Sequence, residues 1–313
     1  MTMNERANAV ADDLERNAAA LRVAVSRVAG ARVIDCGGGV TGSLAAGLAM
    51  ARACLADLAD VGYVPCPLPE VGGPAVQVAT DDPVRACLAS QYAGWQVQVG
   101  KFFAMGSGPM RALAAREELF QHIHVKEESR VAVGVLETRN HPTEEVVAQV
   151  VSKLPKAAES LTLLVAPASS LAGTTQVVAR SVETALHKLH ELKFDVNQVV
   201  AGYGVAPLPP VAADELAAIG RTNDAILYGG RVTLWVRADD EILDAVGPRV
   251  PSGSSKDHGE PFAELFKRYG DFYKIDPLLF SPAEVEFRNL KTGRCHRFGR
   301  CEPGLVRRSF GLE

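Results

Sequence analysis

Arg180, Glu183, His187 and His190 recur at three- and four-residue spacing within Thr175–Leu192, the most regular helical stretch of the sequence. Residues so spaced share one helix face, so a guanidinium and a carboxyl one turn apart stand side by side. Such a pair can do acid–base chemistry. The carboxyl takes and returns a proton, and the arginine holds it in place through charge-assisted hydrogen bonds. The opposite side carries an apolar stripe of Val178, Val182, Ala185, Leu189 and Leu192. On a solvated face the same pair would be an ordinary i,i+3 ion pair contributing about 0.2–0.5 kcal/mol. Spacing leaves both readings open, and the chemical one needs the polar face to line a cleft.

Two glycine-rich turns could hold an anion. Gly37, Gly39 and Gly42 match G-x-G-x-x-G between a strand (Ala31–Asp35) and a helix (Ser43–Leu58). That is the dinucleotide fingerprint, and it makes an NAD(P)-dependent oxidoreductase using the Gly37–Gly42 turn the alternative function. Against it, the segment that should supply the second strand, Gly62-Tyr63-Val64-Pro65, is broken by prolines, and Asp57 and Asp60 fall in the preceding helix instead of at a strand end. Gly106-Ser107-Gly108-Pro109 is a second strand-to-helix turn. Either turn can present backbone N–H groups to an anion or serve as a tight turn needing positive φ. His122-Ile123-His124 follows a helical run and fits a helix C-terminus, where the dipole favours histidine. Cys295, His296 and Cys301 match no standard zinc spacing, so no metal site is expected.

The chain has 313 residues and a net charge of −4, with 47% hydrophobic and 22% charged residues. That length favours two domains, and the charge gives no general field for nucleic acid. No stretch is apolar enough to span a bilayer, and the acidic N-terminal segment lacks a signal-peptide pattern, so a cytoplasmic enzyme with reduced cysteines is expected.

The pattern of elements predicts an opening helix from Glu5 to Val28. Strands are predicted at Ala31–Asp35, Ala75–Ala79, Trp95–Met105, Arg130–Thr138, Leu161–Ala166, Val196–Gly202, Ala225–Tyr228 and Val232–Val236. Helices are predicted at Pro83–Tyr92, Met110–Phe120, Thr143–Leu154, Thr175–Leu192 and Asp214–Ile219. Val64 to Pro69, with three prolines, cannot be a central strand. A hairpin turn is placed at Lys291-Thr292-Gly293. Strands and helices mix without strict alternation, which predicts an α+β fold with mixed β-sheets flanked by helices. The domain boundary is placed near residue 155, giving 1–155 and 156–313, with a discontinuous arrangement allowed.

Four long blocks together resemble the methenyltetrahydromethanopterin cyclohydrolases. They are Gln176 to Leu189, Lys101 to Pro109, Gly220 to Gly230 and Asp271 to Pro282, spread in order over most of the chain. The resemblance implies a two-domain fold with the active site in a cleft between the domains. It also implies a homo-oligomer, a trimer, with a pterin substrate and no metal or tightly bound cofactor. It carries over Arg180 and Glu183 as the reacting pair, and it suits a formaldehyde-oxidising pathway. For the rest of the substrate the candidates are Gly38, Lys101, Gly106, Ser107, Arg221 and Asn223, with Lys256 a further cation. The implied substrate holds its one-carbon unit as a ring amidinium. That carbon is already electrophilic and needs a positioned water, a base for its proton and an acid for the departing nitrogen.

Overall fold

A computed structural model describes residues 1–270 and 274–312. The chain divides into two units of two segments each: Met1–Ala59 with Arg85–Gln176, and Asp60–Val84 with Val177–Glu313. In chain order, the first unit takes strands β1 (Ala24–Val28) and β2 (Ala31–Asp35). The second takes β3 (Asp60–Pro65) and β4 (Pro74–Thr80). The first then takes β5 (Trp95–Val99), β6 (Phe102–Ser107), β7 (Val131–Glu137) and β8 (Ser160–Ala166). The second ends with β9 (Val199–Pro207), β10 (Arg231–Val236), β11 (Glu284–Asn289) and β12 (Cys295–Gly299). The sequence reading drew one cut near residue 155. The observed division lies elsewhere because β8 runs parallel between β2 and β7, which keeps residues 156–176 with the first unit.

Each unit contains one six-stranded mixed sheet, in the orders β1-β2-β8-β7-β6-β5 and β12-β11-β10-β9-β4-β3. With flanking helices this is the α+β architecture expected. In the first unit alternate strand residues serve two cores. Ile34, Val133, Val135 and Leu164 pack beneath the helices Met3–Arg16 and Leu44–Cys54. Val33, Leu136, Leu163 and Val165 pack with Val146, Val147 and Val150 on the other face. Those valines belong to the helix Glu144–Lys153, whose N-cap Thr143 accepts from the Val146 N–H as the dipole-and-cap pattern predicts. Arg32, buried on β2, donates to Asp12, Glu15 and Asn8 at 2.6–2.8 Å and so fastens the first helix to the sheet.

Several expected elements differ. The opening helix ends at Arg16, and Ala24–Val28 is an edge strand instead. Val25 and Val28 lie at helical spacing by coincidence. The two-residue turn Ala29-Gly30, with φ of 45° and 84°, closes a hairpin and sets Val28 opposite Ala31. Ala225–Tyr228 is no strand: Ala225 to Leu227 end the helix Glu215–Leu227, and Tyr228 is its C-cap. Met110–Phe120 breaks into Met110–Ala114 and Leu119–Ile123. Gly62 to Pro65 is not broken but belongs to β3, which Asp60 opens; Pro65 ends that strand at the sheet edge, where its missing donor is tolerated.

The hairpin at Lys291-Thr292-Gly293 is present between β11 and β12, with Gly293 at φ 75°. It is held by a buried histidine. His296 Nδ1 meets Asp244 at 2.7 Å and Nε2 meets Asp240 at 2.9 Å, so the charged ring donates on both sides. Burial disfavours that charge, but the two carboxylates outweigh it and raise the histidine above its ordinary value. Burial likewise opposes charge on Asp240. Donors from Asn289, His296 and Thr292 and the charge of Arg294 outweigh it and hold the carboxyl at about 2. Because the folded histidine is raised, its stabilisation is complete below its ordinary value of 6.5 and is lost as pH rises through the folded value. The Asp240 share is present above the ordinary 3.8 and is lost only as pH falls toward 2. His296→Gln is therefore expected to lower Tm most at mildly acidic pH and to flatten the fall in Tm on going alkaline, read by thermal melts from pH 5 to 9.

Candidate active site

The helical stretch around Glu183 is two helices, Leu171–Val178 and Ser181–Glu191, separated by a turn at Ala179-Arg180. The Arg180 N–H donates to the Val177 carbonyl at 3.1 Å, and the Thr184 N–H to the Arg180 carbonyl at 2.9 Å. No glycine or proline marks the break, which is why periodicity read one helix. The break makes Arg180 the N-cap of the second helix and puts Glu183 in its first turn. There the positive end of the helix dipole favours a negative charge.

The pair is not on a solvated face. Arg180 is 8% and Glu183 5% exposed, although both are charged residues. Arg180 Nη1 stands 3.9 Å from Glu183 Oε2, an ion-pair distance. Desolvated charges are tolerated only when paired, so each group supports the other's burial. Further along, the Lys188 side chain is fully buried and donates to the Leu278 carbonyl. Burial lowers it to about 8 despite Asp276, with Arg249 acting in the same direction as burial. Lys188 anchors this helix to the turn Pro277–Leu279.

The Gly37–Gly42 turn is already filled. Asp35 Oδ1 accepts from the N–H groups of Gly37 at 2.9 Å and Gly38 at 2.6 Å, and Oδ2 from Gly39 at 2.6 Å. A side chain on Gly38 would meet the Arg139 carbonyl at 2.9 Å. The donors that would cradle a pyrophosphate hold the chain's own carboxylate. The strand following this turn, β3, joins the other sheet, so no βαβ unit exists here. Nothing supports the oxidoreductase alternative. Cys36 beside the turn is buried, and burial pushes its thiol up to about 12, aided by Asp35.

The remaining sequence candidates fall in both units, Lys101, Gly106 and Ser107 in the first and Arg221, Asn223 and Lys256 in the second. Ser107 is buried, with its hydroxyl 3.2 Å from Cys54 Sγ, and Gly106 packs on Trp95. Gly108 donates to the Ser90 carbonyl at 2.8 Å, so this turn serves the interior of the first unit. Lys101 is exposed in the β5–β6 turn, at the other end of β6 from Ser107 and so roughly 20 Å away along the strand. Arg221 donates to the Pro210 carbonyl at 3.1 Å, and Asn223 to Ile219 at 2.8 Å, one helical turn back. Lys256 is exposed. His122 lies in the last turn of its helix and His124 is the left-handed C-cap, as expected. Among the described residues no group of three or more His, Cys, Asp or Glu converges as metal ligands would. Of the block Asp271 to Pro282, Asp271, Phe272 and Tyr273 lie outside the described residues.

Sequence reasoning missed Asp35, Lys188 and Asp224. Asp224 is fully buried and accepts from the Phe262 N–H at 2.9 and 3.2 Å and from the Ser309 hydroxyl at 2.6 Å. Burial pushes it up to about 7 against those donors. A carboxylate two residues before a glycine triplet was a readable signal for Asp35. Lys188 and Asp224 carry none, because each looks like an ordinary helix-surface charge.

A buried carboxyl beside a guanidinium can take and return a proton, the chemistry that addition of water and its reversal would use. The chain belongs to the cyclohydrolase (MCH) family, whose model matches residues 2–310. It is 50% identical over 307 residues to the methenyltetrahydromethanopterin cyclohydrolase of Rhodopirellula baltica, covering 96% of this chain and 92% of that one. It is 46% identical to the enzyme of that name from Methylobacterium sp., covering 99% and 97%, and 42% identical to that from Methanococcoides burtonii, covering 91% and 90%.

Asp35→Ala is expected to lower stability by about 2 kcal/mol, because three backbone donors lose a charged acceptor. Denaturant titration checks it. NADH and NADPH titrated into the intact protein are expected to leave their fluorescence unchanged; saturable enhancement would restore the dinucleotide reading of the turn.

Proposed function

We propose that this protein reversibly hydrolyses methenyltetrahydromethanopterin to formyltetrahydromethanopterin, with Glu183 as the acid–base group and Arg180 as its partner. The observation that carries the assignment of residues is the buried Arg180–Glu183 pair in the first turn of a helix. The names of the relatives support the substrate.

In the forward direction Glu183 accepts a proton from water as the water oxygen bonds to the methenyl carbon. The amidinium charge is consumed and a neutral tetrahedral carbon forms. Glu183 then gives its proton to one ring nitrogen as the carbon–nitrogen bond breaks. The remaining hydroxyl proton leaves to solvent as the formyl carbonyl forms, so one water is used and one proton released. A single carboxyl suffices because it regains its starting state. Arg180 keeps the carboxyl oriented and balances its charge before the cationic substrate arrives.

The homotrimer, the cytoplasmic setting and a role in formaldehyde oxidation belong to the same proposal. Among the described residues no helix is long and apolar enough to cross a membrane.

The test follows the absorbance of the methenyl pterin with purified, chelator-treated protein and no added cofactor. Turnover is expected. Glu183→Gln should lose about 10²–10⁴-fold in kcat, and near-normal turnover in a folded Glu183→Gln protein overturns the assignment. Arg180→Ala is expected to lower kcat and to shift the pH–rate profile; an unshifted profile shows that Arg180 does not tune the carboxyl.

A further inference from the structure

β9, at the middle of the second sheet, carries Gly202 and Gly204 where a strand ordinarily places side chains to pack. Glycine inside a strand weakens it and marks a close approach of another segment. Residues two apart face the same side, so the two glycines open one slot. The segment that fills it is the first turn of Ser181–Glu191. A Cβ on Gly202 would meet Val182 Cγ1 at 2.7 Å, and one on Gly204 would meet Ser181 Oγ at 2.4 Å and Val182 Cγ2 at 2.9 Å. Val182 thus straddles the slot with one methyl over each glycine. Ser181 and Val182 are fully buried, and among the described residues Ser181 Oγ has no hydrogen-bond partner. The hydroxyl contributes contact to this seat.

Ser181 and Val182 are the two residues between Arg180 and Glu183. We infer that Gly202 and Gly204 are positioning residues for the reaction: by removing two side chains from β9 they let this turn lie directly on the sheet, which sets where the Arg180–Glu183 pair stands. This rests on the reading of Glu183 as the acid–base group. Each glycine acts through Val182 or Ser181. A methyl group at either position must displace Val182 or Ser181; where the turn moves with them, displacements of about 1 Å at reacting groups can cost on the order of 10²-fold in rate.

The experiment measures kcat and KM for methenyl pterin hydrolysis by the intact protein carrying Gly204→Ala, Ser181→Ala or both, with Glu183→Gln alongside. Gly204→Ala is expected to lower kcat about 10–100-fold while KM stays within about threefold, since the carboxyl is displaced and the rest of the substrate site is not. Adding Ser181→Ala removes the atom in closest conflict and is expected to return at least about fivefold of the lost kcat, a coupling that independent sites would not show. A folded Gly204→Ala protein with normal kcat overturns the inference, as does a loss that the double variant does not relieve. If Gly204→Ala does not fold, Val182→Ala is read instead. It empties the slot without any clash and is expected to lower kcat at least about fivefold at little-changed KM; normal kcat overturns the inference. Should Glu183→Gln retain turnover, it is the acid–base reading that fails. Should Glu183→Gln lose turnover and Gly204→Ala keep it, only the slot fails.

Discussion

The structure around the Arg180–Glu183 pair depends on one electrostatic constraint: a carboxylate removed from water must meet positive charge or donors where it is buried. Glu183 meets Arg180 at 3.9 Å and sits in the first turn of a helix, at the positive end of its dipole. Neither partner would be stable at its observed burial alone. The pair therefore has to be set by the backbone beneath it. That backbone is the turn at Ala179-Arg180, the close seat of Ser181 and Val182 on β9, and the buried Lys188 that fastens the far part of the same helix to Leu278. An unbroken helix from Thr175 would give the pair the same spacing without the positive end of a helix beside Glu183.

The same constraint explains the glycine loop of the first unit with the opposite result. Three consecutive glycine N–H groups form an anion cradle, and a cradle of this kind is a site only when it is open. Here Asp35, at the end of β2, folds over and takes all three donors. The motif specifies the backbone shape, and the residue before it specifies the occupant. G-x-G-x-x-G read alone therefore points to a dinucleotide, whereas Asp35-Cys36-Gly37-Gly38-Gly39 read as a unit points to a self-closed turn.

What was legible in the sequence follows from the range of the forces involved. Arg180 and Glu183 could be placed side by side because i,i+3 adjacency is local and survives the break before the helix. Strands such as β8 could be read because Leu161 to Ala166 are apolar without interruption, the mark of a strand covered on both faces. The burial of the pair was not legible, since an amphipathic pattern looks the same whether its polar side meets water or protein. The turn at Ala29-Gly30 was missed because alanine at φ 45° is an unusual choice for a hairpin. The segment Ala225 to Leu227 was misread because its apolar run is as long in a buried helix end as in a short strand.

The two-unit organisation was least legible for a related reason. β2 pairs with β8 and β10 with β11, both in parallel, across 124 (36–159) and 47 (237–283) intervening residues. Parallel pairing needs a crossover, and nothing in either strand names its partner. A single cut in the chain is the natural expectation when strands are counted in order. The chain instead leaves the first unit at Ala59, contributes β3 and β4 to the second sheet, returns at Arg85, and leaves again at Val177. That second departure falls three residues before Arg180. The strand β4 delivered by the first excursion pairs along β9 from Ala75 to Thr80, and Thr80 lies opposite Gly202. An excursion that looks like an insertion in sequence therefore supplies the neighbouring strand for the glycine slot on which the helix carrying Glu183 rests.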